Sequence, residues 1–354
     1  MTFTKRRLAE LDKCYSIAAL DWPEKGSFLV ASEKDDACFL FSESGKLLDT
    51  VWTSPGGVMS MERLPGGNGA FLAVQRFYGP DDADDARVVL AWPEAGTWQV
   101  RTLCPAPYAH RIGILRRGGD LWLLVCCLKA ACEYPGDWRS PGACWAARLP
   151  EDLSSLRTCP GLELRQVGPA LLRNHGFCKL RREGYDAGLI GCEAGTFLYA
   201  PPASPDGEWE ITQLCAVPSS DSVLLDLDGD GQEELGCLSP FHGSSLTIYR
   251  LDEFGNYVPQ WKYRRPERET AFLHATWPCT LAGKRAWLVG WRGGTQGTMV
   301  VTWDAAKGDY HTEMVDQPAG SANVMHYVNS SGQDVLIAAN RERDEIAMYT
   351  IQPR

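Results

Sequence analysis

Short apolar runs separated by turn residues come in pairs along this chain, and the pairs recur roughly every 45 to 65 residues, the interval of a four-stranded propeller blade. The first run of each pair begins near Tyr15, Met59, His110, His175, Asp221, His274 and Asn323, so seven units account for nearly the whole sequence. YAHRIGILRRGGDLWLLVCC, RNHGFCKLRREGYDAGLIGC and GVMSMERLPGGNGAFLAVQR share one layout of strand, Gly-containing turn and buried run; DSVLLDLDGDGQEELGCL, LHATWPCTLAGKRAWLVGW and NVMHYVNSSGQDVLIAAN repeat it. Each pair predicts a β-hairpin, because runs of about 5 to 8 residues flank too few turn residues for a parallel crossover. Helical periodicity is nearly absent. Only LAELDKCYSIAAL near the start and PEDLSSL, from Pro150 to Leu156, have room for a turn or two of helix.

These elements predict an all-β fold, a seven-bladed β-propeller. Blades bury their faces only against their neighbours, so an evenly repeated set reads as a single domain over residues 1–354, although length alone would allow two. The last unit lacks a fourth strand. Residues Thr2 to Glu10, TFTKRRLAE, are expected to supply it and close the ring, which removes the edges an open stack would expose.

A formal net charge of −10 argues against a protein that tracks nucleic-acid phosphates, which needs a clustered positive field. No segment reaches about 18 uninterrupted apolar residues, and MTFTKRRLAELDK has no apolar core of signal-peptide length, so neither membrane spanning nor secretion is indicated and a cytoplasmic location is expected. The 13 cysteines are an odd number scattered through apolar strands without CxxC spacing, as expected of reduced core side chains.

In a propeller the innermost strand of each blade lines the central channel, so the start of that strand and the end of the second strand share one face. His110, His175, Asp221, His274 and Asn323 sit at first-strand starts, and half of the six histidines occupy this one position. Three imidazoles from different blades at one level of a channel can reach metal-binding distance, and neutral imidazole suits zinc, manganese or iron(II). Asp221 or Asn323 can complete the shell; the competing reading is a set of hydrogen-bonded polar plugs. The second-strand ends and the loops after them bring Gln75, Arg76, Tyr78, Lys129, Glu193, His242, Arg292, Asn340 and Arg341 to the same mouth. Their cations suggest an anionic or heavily hydroxylated ligand, or else rim salt bridges to Glu33, Glu193 or Glu342. Trp138 belongs to a long insertion, KAACEYPGDWRSPGACW, expected to lean over the funnel, where a sugar ring can stack. A second insertion, YGPDDADDAR, reads as a solvated loop.

A separate motif is local. DLDGDGQEEL places Asp226, Asp228 and Asp230 at alternate positions, followed by Gln232 and Glu234, and this spacing of oxygens suits calcium. The twelfth position, where an EF-hand needs a carboxylate, is Cys237, so the site would be a hairpin turn on the face opposite the histidines. An Asp/Gly turn without metal is the other reading.

With SSDSVLL before it, DLDGDGQEEL resembles the FG-GAP/VCBS repeats, a resemblance that implies a seven-bladed propeller with calcium in that turn. Among propellers with a channel metal, His110, His175 and His274, with Asp221, look most like the aldos-2-ulose dehydratase group and less closely like oligogalacturonate lyases. That resemblance implies a sugar-eliminating enzyme with metal-binding histidines near the axis. A divalent transition metal there would polarise a sugar carbonyl or carboxylate oxygen and favour loss of the adjacent proton, followed by β-elimination. His242 is the first candidate base, ahead of Tyr78 and Lys129. Arg76, Arg292 and Arg341, with Glu193, Trp138 and Asn340, would orient a small keto-sugar or uronide. The rival expectation is a non-catalytic propeller that binds a glycan or a protein. No GxSxG, Walker or Rossmann signature lies in a strand-turn-helix context. The sequence does not give the oligomeric state.

Overall fold

A computed structural model describes residues 1–263, 265 and 269–352. Its 28 strands form seven antiparallel four-stranded meanders, and no α-helix occurs among the described residues. The innermost strands are Cys14–Ala19, Met61–Arg63, Ala109–Arg117, Gly176–Arg182, Asp221–Leu225, Thr270–Leu281 and Asn323–Val328, for blades 1 to 7 in order. A single bridge, Arg117 to Tyr185, joins the sheets of blades 3 and 4 at their inner edge.

The ring closes as the sequence predicts. Thr2–Glu10 pairs antiparallel with Glu345–Gln352, from Thr2 opposite Gln352 to Glu10 opposite Glu345, and is the outermost strand of blade 7. The segment LAELDKCYSIAAL is therefore the end of that strand, a tight turn and the first strand of blade 1, not helix. Pairing with the last strand satisfies its backbone over a long ladder, which a short isolated helix cannot match. PEDLSSL does hold a turn of 3-10 helix, Leu153–Arg157, with the Asp152 carboxylate accepting from the Ser154 N–H as N-cap.

Second strands are apolar at nearly every position because both faces pack against neighbouring blades. Phe71–Gln75 is buried throughout, as are six of the seven residues of Asp334–Asn340. Packing between blades is close enough to require glycine locally: a Cβ on Gly236 in blade 5 would lie 2.6 Å from the Trp287 ring of blade 6. Nine of the 13 cysteines are buried in these layers.

Candidate functional site

The first-strand starts of blades 1, 3 and 6 share one irregularity. Pairing with the second strand slips between Cys14 and Ser16, between Ala109 and Arg111, and between Leu273 and Ala275. Each bulge leaves one residue unpaired, Tyr15, His110 or His274, and a bulge re-aims the side chain of its extra residue. All three side chains meet at the axis. The Tyr15 hydroxyl lies 3.1 Å from His110 Nε2 and 3.0 Å from His274 Nε2. His175 joins from blade 4, and the ligand atoms of His110, His175 and His274 lie within 4.8 Å of one another. His242, from the loop after the second strand of blade 5, brings its Nε2 to 3.2 Å from His175 Nε2.

The other ring nitrogen of each axial histidine is tied to the next blade. His110 Nδ1 lies 3.1 Å from the His175 carbonyl, His274 Nδ1 lies 2.7 Å from the Ala322 carbonyl, and His175 Nδ1 lies 2.8 Å from the Asp221 carboxylate and 3.2 Å from the Ser220 carbonyl. Asn323 continues the circle, donating to the Tyr15 carbonyl at 2.9 Å. Carbonyl and carboxylate oxygens only accept, so each Nδ1 carries a proton, and the neutral rings of His110 and His274 present Nε2 lone pairs to the axis. Burial holds His110, His242 and His274 well below the ordinary imidazole range, with the like charge of His175 as the next cause, so these rings are neutral near pH 7.

A count of protons shows what this arrangement needs. The Tyr15 hydroxyl offers one hydrogen to two lone pairs, those of His110 and His274, and burial pushes its pKa up to about 12, so it remains a hydroxyl. One buried lone pair at the axis is thus without a donor, and three imidazoles with carbonyl or carboxylate partners behind them match the donor set that suits a divalent transition metal. The residues fit such an ion.

Aromatic rings cover the site on the side where the first strands begin. His242 is stacked between Phe241 and Phe272, at centroid distances of 3.8 and 4.0 Å, and Phe77 lies edge-on to His110. His242 and Phe272 both adopt left-handed backbone, at φ 52° and 56°, a strained conformation for such residues that surrounding structure must enforce. Trp138, from the blade-3 insertion, packs edge-on against Phe241, so the insertion leans over the ring.

The remaining rim residues named from the sequence have partners of their own, although Arg292 also lies 4.5 Å from the centre of the Phe272 ring. Arg292 is paired with Glu342, and Arg341 with Glu342 and Glu33; Arg76 pairs with Asp85, and Glu193 with Arg173. Asn340 is buried and bonded to Ser321, Glu345 and Tyr349. The Lys129 ammonium is buried in the insertion, donating to Asp81 and to the Asp137 carbonyl over the Trp138 ring. Tyr78 sits on the loop of blade 2, where its carbonyl accepts from Lys34.

A cavity that reaches the histidines runs the other way, away from the face where the rim residues were expected to converge. It measures about 790 Å³, touches His274, Asp221 and Asn323 at its inner end, and follows the first strands to their far ends; none of the expected substrate-orienting residues lines it. Its wall includes Phe177, whose ring occupies the space that Gly113 leaves free: a Cβ there would fall 2.1 Å from the ring.

The blade-5 turn gathers Asp226, Asp228 and Glu234 as a second cluster of possible ligands, while Asp230 and Gln232 are on its outer side. Asp226 accepts from the Gly229 and Gly231 amides and pairs with Arg285; Asp228 and Asp230 pair with Arg250; Glu234 accepts from the Leu227 amide and the Tyr310 hydroxyl.

No family model matches the sequence, and no curated protein does. Solved structures match over nearly the full length. A Myceliophteria thermophila Cps50 (Swd1) β-propeller domain is 8% identical, covering 99% of this chain and 100% of its own, with TM-score 0.60. The periplasmic gluconolactonase of Pseudomonas aeruginosa is 13% identical over 92% of each chain, with TM-score 0.59. A streptogramin B lyase is 13% identical, covering 99% of this chain and 98% of its own, with TM-score 0.58. At these identities the likeness is one of fold, and this chain is a β-propeller.

Proposed function

We propose that this chain is a metal-dependent carbon–oxygen lyase that acts on a small keto-sugar or uronide at the propeller axis. The observation that carries the reading is the convergence of three Nδ1-tethered imidazoles, two of which share one hydroxyl proton. His110, His175 and His274 would hold a divalent ion such as zinc or manganese. Asp221 would fix the tautomer of His175 and strengthen it as a ligand. When bound, the ion supplies Lewis-acid polarisation of a carbonyl or carboxylate oxygen beside the carbon that loses its proton.

The chain's own groups would then move protons. His242 is neutral and next to the ring, so it can accept the proton from that carbon. Tyr15, still protonated at neutral pH, can donate to the departing oxygen. Phe241, Phe272 and Trp138 keep water from the same side, which strengthens each electrostatic contact. The reading extends the likeness to sugar-eliminating propellers noted above. Two of the structures similar in fold bear names of sugar-lactone and lyase enzymes, so propellers of this shape support such chemistry. A cytoplasmic small saccharide remains the proposed substrate, and a glycan- or protein-binding propeller the alternative.

The test is a screen of keto-sugars and uronides with the metal-loaded protein, read by the ultraviolet absorbance of the conjugated elimination product. Turnover lost in Tyr15→Phe, with metal content unchanged, supports the reading. Absence of turnover on every sugar with stoichiometric metal bound would favour the binding propeller.

A further inference from the structure

The cavity on the far side of the ring is lined by five Lys or Arg and four Asp or Glu side chains, in a chain of net charge −10. Of its charged wall residues, Glu62 is taken by Lys179 at 3.1 Å, Asp186 by Lys179 at 3.8 Å, Asp21 by Arg63, and Asp221 by His175. Three arginines are left over. Arg116 and Arg181 are exposed at the outer end and have no carboxylate partner among the described residues. Arg111 is buried at 9% exposure beside the ring; it donates to the Met59 carbonyl at 2.9 Å and lies 5.7 Å from the centre of the Tyr15 ring, again without a carboxylate.

Arg111 follows His110 directly. In a regular strand consecutive side chains take opposite faces, and the bulge at His110 is what allows both to serve the axis. A buried guanidinium without a counter-ion is costly unless something supplies negative charge, and its planar fork matches a carboxylate or a phosphate. Phe177, Trp277 and Tyr327 line the same cavity and offer apolar faces of the kind on which a sugar ring rests.

The geometry points to this cavity as the substrate entrance, and to a ligand that is a monosaccharide bearing one anionic group, received by Arg116 and Arg181 and seated on Arg111. The assignment deepens the lyase reading and rests on it for the identity of the reacting centre. The anion is a carboxylate or a phosphate, and both place a bidentate acceptor opposite the guanidinium.

The experiment is calorimetric titration of the full chain with D-glucuronate, D-glucose 6-phosphate and D-glucose, repeated on Arg111→Gln, on the exposed variant Arg181→Glu, and on Lys307→Gln as a control for lost charge elsewhere. At least one anionic sugar should bind about tenfold or more tighter than glucose, and that preference should fall to about threefold or less in both arginine variants and persist in the control. Whichever anion shows it identifies the class. Equal binding of the three sugars, no binding of any, or a preference that survives Arg181→Glu and a folded Arg111→Gln would overturn the assignment. The same titration of His110→Ala/His175→Ala separates the two proposals: a preference kept by protein that never held metal would leave the cavity assignment standing while the lyase reading falls.

Discussion

At the axis, four imidazoles from blades 3, 4, 5 and 6 meet around one tyrosine hydroxyl, whereas in the blade-5 turn three carboxylates fold together within nine residues, Asp226 to Glu234. Both are clusters of metal-ligand residue types, and burial opposes charge in both: it pushes the imidazoles down and Glu234 up. They differ in what already satisfies them. Arg250 and Arg285 stand against the carboxylates, and backbone amides fill their remaining lone pairs. At the axis one hydroxyl proton serves the Nε2 atoms of both His110 and His274. The lesson is that a cluster of ligand types marks a metal site only after the partners of each lone pair have been accounted for.

The largest effect that would break this contrast is at Tyr15. Tyr15→Phe removes the hydroxyl between His110 and His274, so turnover should fall by about 10²- to 10⁴-fold with metal content unchanged, measured as kcat on the sugar found by the elimination screen. Asp221→Asn comes next. It weakens the partner of His175 Nδ1, and metal affinity by competition with a chromogenic chelator should drop about 10- to 100-fold. In the turn, Arg250→Met leaves Asp228 and Glu234 without their cation, which should cost about 1–3 kcal/mol of stability by urea denaturation in chelator; added calcium should restore part of it, while wild-type protein should respond little.

A further effect is graded with pH. Because His110, His242 and His274 titrate lower when folded, the unfolded chain binds more protons between those values and about 6.5, so stability rises with pH there and is complete above it. Each imidazole should contribute up to about 1.4 kcal/mol per pH unit as pH falls below 6.5. Urea midpoints of metal-free protein from pH 7.5 to 5 should show this slope in wild type and a shallower one in His110→Ala.

The blades were legible because paired apolar runs with short turns leave few alternatives, and strand Thr2–Glu10 was legible because a missing partner demanded one. The histidines were legible from their repeat position. Tyr15 was not recognised as chemistry, since a tyrosine among apolar strand residues reads as core, although it stands at the same position as His110 and His274. Arg111 was hidden by alternation: without knowing of the bulge, the neighbour of an inward histidine is assigned outward. The rim cations were visible as charges, but the partners that occupy Arg292 and Arg341 are 50 and 308 residues away in sequence, and only the closed ring brings them together.

Elemental analysis of the purified full chain, alongside His110→Ala/His175→Ala and Asp226→Asn/Asp228→Asn, tests the central claim most directly. About one zinc, manganese, iron, nickel or cobalt per chain, lost in the histidine variant and kept in the carboxylate variant, is the predicted result. Calcium alone, kept in the histidine variant and lost in the carboxylate one, would contradict the account and make the axial imidazoles latches between blades.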